Sequence, residues 1–157
     1  MHNSQLDEID KKILDYLVEN TRMPFTEIAQ KMGVSAGTIH VRVKKMEDVG
    51  IIRGSSLVID YTKLDYRFIT YVGIFLSKSN KTMDVLKELE KIPNVTELSV
   101  IAGKYNIFCK IRAKDTDDAK RIIYGINDID DVMRTESMIS IEEYFSDKNR
   151  LIKAVEI

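Results

Sequence analysis

The sequence predicts an α+β chain, with a three-helix segment at the N-terminus followed by a four-stranded antiparallel sheet that carries two helices on one face. Three observations predict it. Up to Gly50 the apolar positions recur at helical spacing, punctuated by Pro24, Gly33 and Gly50. From Phe68 onward the character changes to runs rich in β-branched and aromatic residues. Those runs alternate with two helical segments in the order β-α-β-β-α-β.

Between Asp7 and Asn20, residues Ile9, Ile13, Leu14, Leu17 and Val18 recur at helical spacing, and acids in the first turn complement the helix dipole. Pro24 suits the start of a short second helix whose Ile28, Ala29 and Met32 share a face and which ends at Gly33. Ser35 is a strong N-cap for a third helix running to about Val49, with Gly50 as its left-handed stop. Only Gly33, Val34 and Ser35 separate the second and third helices. A tight glycine-bearing turn before a basic amphipathic helix is the sequence form of a helix-turn-helix. Ile51 to Tyr61 reads as an extended connecting strand, with Leu57 and Ile59 alternating with Ser56, Val58 and Asp60. The stretch YTKLDYR follows as a linker.

Phe68 to Leu76 (FITYVGIFL) is a strand with little polar contrast between its faces. A helix at about Lys81 to Lys91 carries Met83, Leu86 and Leu89 in period and is stopped by Pro93. Val95 to Ala102 is a second strand, GKYN a tight connection, and Ile107 to Ala113 a third strand. Thr116 to Asn127 is a helix and Val132 to Ile141 a fourth strand, which completes the ferredoxin-like βαββαβ arrangement. An internal echo supports it, since IPNVTELSVI after one helix resembles IDDVMRTESMISI after the other. The helices cover one face only, so the free face is expected to pack against the same sheet of a second subunit. The expected divisions are a helix-turn-helix domain at 1–60, a linker at 61–67, a ferredoxin-like oligomerisation domain at 68–142, and a tail at 143–157.

Of 157 residues, 44% are hydrophobic and 31% charged, the balance of a soluble globular protein. Two small domains are marginal alone, so an oligomer is expected. No run approaches the ~18 apolar residues of a membrane span, and the N-terminus lacks the form of a secretory signal, which implies a cytoplasmic protein with no membrane partner. The single cysteine, Cys109, alternates with Ile107 and Ile111 and reads as a small core residue. With only His2 and His40 there is no zinc-ligand spacing, so neither a metal nor another cofactor is expected. Nor is there a phosphate-binding GxxxxGK loop or a serine elbow, and the expectation is a non-enzyme.

The net charge of −1 excludes a protein that coats nucleic acid non-specifically, so DNA binding needs a local basic patch. Residues 35–46 hold His40, Arg42, Lys44 and Lys45 with no acid. At ~100° per residue Ile39, Val43 and Met46 form the buried seam of this helix. Opposite lie Gly37, Val41, Lys44 and Asp48, flanked by Thr38, His40 and Lys45. Val41 suits a thymine methyl group, and Lys44 and Lys45 suit phosphates or guanine edges. The candidate DNA-binding set is therefore Ser35, Gly37, Thr38, His40, Val41, Arg42, Lys44 and Lys45. Arg42 lies roughly 60° from the seam and has two open assignments, DNA or a carboxylate of the first helix. His40 reads as a groove or phosphate contact rather than a catalyst. The bland alternative for the whole set is a solvated helix face.

The segments LDEIDKKIL, EIAQKMGVSAGTIHVRVKKMEDVGIIRG, IAGKYNIFCKI and RTESMISIEE resemble the Lrp/AsnC, or feast/famine, family over essentially the whole chain. The resemblance implies a winged type of helix-turn-helix joined to an effector-binding α/β sandwich that dimerises through its sheet. It further implies dimers assembled into octamers, double-stranded DNA as partner, and an amino-acid effector, with asparagine the candidate. By position, the family's ligand loop matches Gly103, Lys104, Tyr105 and Asn106, and its pocket strand matches Thr135, Glu136 and Ser137. Many relatives carry Asp where this chain has Asn106, whose amide offers no charge to an ammonium group, so that Glu136 is the substitute. Simpler readings stand beside these: Gly103 as a turn residue and Tyr105 as an aromatic at a strand end. Two other functions share the layout. One is an enzyme resembling the siroheme decarboxylases; the other is an effector-sensing module acting by protein contact.

Overall fold

The computed structural model describes residues 6–155, so His2 lies outside the described residues. The chain forms two compact units. One comprises the described parts of Met1–Val58 and Phe145–Ile157, the other Ile59–Tyr144.

In the first unit, α1 spans Glu8–Glu19, α2 Phe25–Met32 and α3 Ala36–Asp48. The start of α1 is fixed by a reciprocal cap: Asp7 Oδ1 accepts from the N–H groups of Ile9 and Asp10, and Asp10 Oδ2 accepts from the N–H of Asp7 at 3.1 Å. Gly33 ends α2 at φ +68°, a backbone region glycine enters without a Cβ penalty. Ser35 Oγ then accepts from the Thr38 N–H at 3.1 Å and starts α3. Ile13, Ile28, Ile39, Val43 and Met46 are buried together between the three helices. The expected seam of α3 is thus its buried face. A 3-10 turn in the C-terminal tail, Arg150–Ala154, lays Ile152 against this same core.

The connecting strand expected over Ile51 to Tyr61 is not formed. Residues 51–60 carry no strand, Asp60 instead caps a 3-10 turn at Tyr61–Leu64, and Leu57 and Val58 are exposed. An extended segment becomes a strand only when a neighbour completes its hydrogen bonds, and among the described residues none lies alongside. The wing implied by the resemblance is therefore absent from this chain's own described residues.

In the second unit, β1 (Phe68–Leu76), α4 (Thr82–Glu90), β2 (Val95–Val100), β3 (Ile107–Ala113), α5 (Thr116–Asn127) and β4 (Val132–Ile139) build one antiparallel sheet of order β2-β3-β1-β4. This is the expected ferredoxin-like α+β arrangement. Strand β2 ends at Val100, two residues before the expected end, and the Ile101 N–H donates to the Asn106 carbonyl at 3.3 Å across the turn. Strand β4 stops at Ile139, two residues early, since only Ser140 still finds a carbonyl, that of Ile69 near the start of β1. Helices α4 and α5 cover one face, where Val85, Leu89, Ile122 and Ile126 meet Val72, Ile74, Ile107 and Cys109. Burial pushes the Cys109 thiol up to about 12.

The other face carries Tyr71 stacked on Phe108 at 5.9 Å between ring centroids. Next to them Lys110, only 5% exposed, pairs with Glu143 and lies 3.5 Å from Glu97, while Arg112 also pairs with Glu143. Burial opposes the charge on Glu143, but the two cations prevail and hold its carboxyl below the ordinary range. Among the described residues no helix is long and apolar enough to cross a membrane.

Candidate DNA-binding helix and effector site

The face of α3 opposite its buried seam is open. Gly37, His40, Val41, Lys44 and Lys45 are exposed, and Val41 is 67% exposed, an apolar side chain standing in solvent between cations. The His40 ring lies 6.1 Å from that of Phe25 on α2. Ser35 and Thr38 are engaged with each other, their hydroxyls 2.9 Å apart at the start of the helix.

Arg42 pairs with acids at the start of α1. Its Nη1 donates to Asp7 Oδ2 at 2.7 Å and to Asp10 Oδ1 at 2.8 Å. The hydrogen bond from Arg42 holds the Asp7 carboxyl below its usual range, and the two acids raise the Arg42 guanidinium in turn. The acids that cap α1 thus also hold the middle of α3.

At one end of the sheet a second cluster forms on the helix-free face. Gly103 turns the chain at φ +143°, and Lys104 and Tyr105 both donate to Glu136 Oε2, Tyr105 at 3.0 Å. Arg134 Nη1 donates to Glu136 Oε1 at 2.9 Å. The Lys104 ammonium, first among these partners, holds the Glu136 carboxyl below its ordinary range and is itself raised. The Tyr105 ring lies 5.1 Å edge-on from Phe75, and the Arg134 guanidinium carbon sits 3.8 Å from the Phe75 centroid.

Loop and strand residues are not all brought together. Glu136 pairs with Gly73 across the sheet, whereas Thr135 pairs with Ile74 and Ser137 with Val72, both core residues of the helix-covered face. Directly opposed residues share a face, so Thr135 and Ser137 lie on the opposite side of the sheet from Glu136. Asn106 Oδ1 accepts from the Leu76 N–H at 2.9 Å, so this amide fixes the loop to the end of β1.

Two members of the cluster escaped the sequence reading. Arg134 stands two residues from Glu136, the spacing that puts both on one strand face. Gly73 is the other: a Cβ there would fall 2.5 Å from ring carbons of Tyr105, so the ring rests where a side chain would be. A glycine inside an apolar strand is the signal for such a close approach.

Comparisons with known proteins agree along the chain. The profile of the AsnC-type helix-turn-helix domain matches residues 6–47, and that of the Lrp/AsnC ligand binding domain matches residues 69–149. Regulatory protein AsnC of Haemophilus influenzae is 38% identical over 90% of this chain and 94% of its own length. The solved structure of Escherichia coli AsnC superposes with a TM-score of 0.85 at 33% identity, covering 90% of this chain and 95% of that one. A transcriptional regulator from Neisseria meningitidis, solved in complex with L-Met, shares the fold at a TM-score of 0.85 and 19% identity, over 92% of this chain and 95% of that one. Matched in both halves and across most of its length, the chain belongs to the Lrp/AsnC family of transcriptional regulators.

Proposed function

We propose that the protein is a cytoplasmic, sequence-specific DNA-binding regulator that carries no catalytic activity, works as a homodimer assembling further to an octamer, and responds to an amino-acid effector. The observation that carries the DNA reading is the open face of α3. Val41 is flanked there by His40, Lys44 and Lys45, and no acid occurs from Ser35 to Met46. Inserted in a major groove, Val41 meets a thymine methyl while Lys44 and Lys45 reach phosphates or guanine edges. Gly37 allows close approach of the backbone, and Ser35 and Thr38 set the N-terminal turn that enters first.

The effector reading rests on charge arrangement. Glu136 offers a carboxylate to an α-ammonium group, and Lys104 and Arg134 beside it offer cations to an α-carboxylate. The L-Met complex of the Neisseria meningitidis regulator supports an amino acid as the ligand class, with asparagine the candidate that the family resemblance implies. Ligand that changes how dimers meet changes the spacing of their recognition helices, which must match half-sites about 34 Å apart or a multiple of it.

The test is the salt dependence of duplex binding by the full chain. Affinity is expected to fall steeply with salt, and Lys44→Ala together with Lys45→Ala is expected to flatten the slope by about two counterions per protomer. An unchanged slope removes α3 from the DNA face. A regulator acting through protein contact instead shows duplex affinity that barely responds to salt.

A further inference from the structure

We propose that Arg42 is a positioning residue, fastening the middle of the recognition helix to the capped first turn of α1, and that it makes no contact with DNA. The proposal rests on the reading of α3 as the DNA-binding helix. Arg42 donates to two carboxylates at 2.7 and 2.8 Å, and one of them, Asp10, is fully buried. Both acids are already fixed by the reciprocal cap of α1. The anchor is therefore rigid at the α1 end, and one guanidinium nitrogen, Nη1, that donates to both carboxylates ties the rotation of α3 about its own axis to that turn.

That rotation matters for recognition. Val41 precedes Arg42 and Lys44 follows it by two residues, so a turn of α3 about its axis carries both away from the base edges they would meet. For Arg42 to reach a phosphate instead, the buried Asp10 carboxylate would lose this cationic partner inside the protein, which is strongly unfavourable. Base contacts specify sequence, while phosphate contacts only position the protein on the duplex. Loss of Arg42 is thus expected to damage discrimination and spare the electrostatic part of binding.

The test uses the full chain with a duplex recovered by selection from a randomised pool, beside a scrambled duplex of the same composition. Affinities are read by fluorescence anisotropy from about 50 to about 200 mM salt, with the active fraction fixed by stoichiometric titration. Arg42→Gln is expected to weaken the selected duplex about tenfold, the size of one misplaced base contact. The scrambled duplex and the salt slope stay as in the unaltered protein, and Arg42→Lys recovers part of the loss. A slope reduced by about one counterion per protomer in Arg42→Gln, or undiminished discrimination, overturns the proposal.

Asp10→Asn serves as an independent variant, keeping the cap acceptor and leaving the guanidinium in place. It is expected to weaken the selected duplex as well, whereas a gain in affinity, with Arg42 released toward phosphate, overturns the positioning role. If Lys44→Ala with Lys45→Ala leaves the slope unchanged, α3 is not the DNA face, and the functional reading fails first and takes this role with it.

Discussion

Gly73→Ala places a methyl group where the Tyr105 ring now rests. The added Cβ would stand 2.5 Å from two ring carbons and 2.6 Å from a third, and the nearest atoms belong to the inner part of the ring rather than a mobile tip. The ring must leave. Doing so gives up its 3.0 Å hydrogen bond to Glu136 and its edge contact with Phe75. Overpacking of this kind costs about 1–3 kcal/mol at a buried strand position such as this. For a domain of this size each kcal/mol lowers the melting temperature by about 4–8 °C, so a fall of at least about 4 °C is expected. The assay is thermal unfolding of the full chain alone and with each proteinogenic amino acid at millimolar concentration. In the unaltered protein a bound effector raises the transition by mass action, and in Gly73→Ala that rise is expected to disappear along with the shift in baseline stability. A variant that melts within about a degree of the parent and keeps the response would refute the placement of Tyr105 on Gly73.

Cys109, buried with its thiol pushed up to about 12, is expected to resist a thiol reagent at pH 8 in the folded protein, where only about one thiol in ten thousand is ionised, and to react at once in denaturant; rapid labelling of the native chain contradicts the packing. Ile152→Ala, which trims the tail where it meets the core of the first unit, is expected to destabilise that unit by about 1–2 kcal/mol in a denaturant titration, less than a fully buried isoleucine would cost. Glu143, whose folded pKa is depressed by Lys110 and Arg112, contributes stability that is present above its ordinary value of 4.5 and lost as the pH falls through the lower folded value. Glu143→Gln is therefore expected to melt lower than the parent at pH 7, with the gap closing as both are taken to acid pH; a gap that widens on acidification has the wrong sign for this account.

What was legible in the chain follows from how local each signal is. Gly33 and Ser35 carry their effect within a few residues, so the turn before α3 could be read directly, and the apolar run Phe68–Leu76 marks β1 to the residue. The segment after Gly50 misled because alternation records only a tendency to be extended, while a strand needs a partner. Arg42 sat between seam and solvent on the helical wheel; the two acids it pairs with were visible as acids at the start of the first helix, but not as its neighbours in space. Gly73 and Tyr105 are far apart in sequence, and only the sheet register together with the turn at Gly103 brings one onto the other. Thr135 and Ser137 were grouped with Glu136 by position in a motif, although strand alternation sends them to the other face.

The central claim is that the recognition helix and the Glu136 cluster belong to one switch, and linkage makes it measurable. Binding of a selected duplex by the full chain should be titrated by fluorescence anisotropy in the presence of each proteinogenic amino acid. The account predicts that at least one, with asparagine the first to try, changes duplex affinity by about five-fold or more, and that Glu136→Gln abolishes the change while leaving binding without ligand intact. Duplex binding indifferent to every amino acid, in a protein that none of them stabilises against heat, would contradict it.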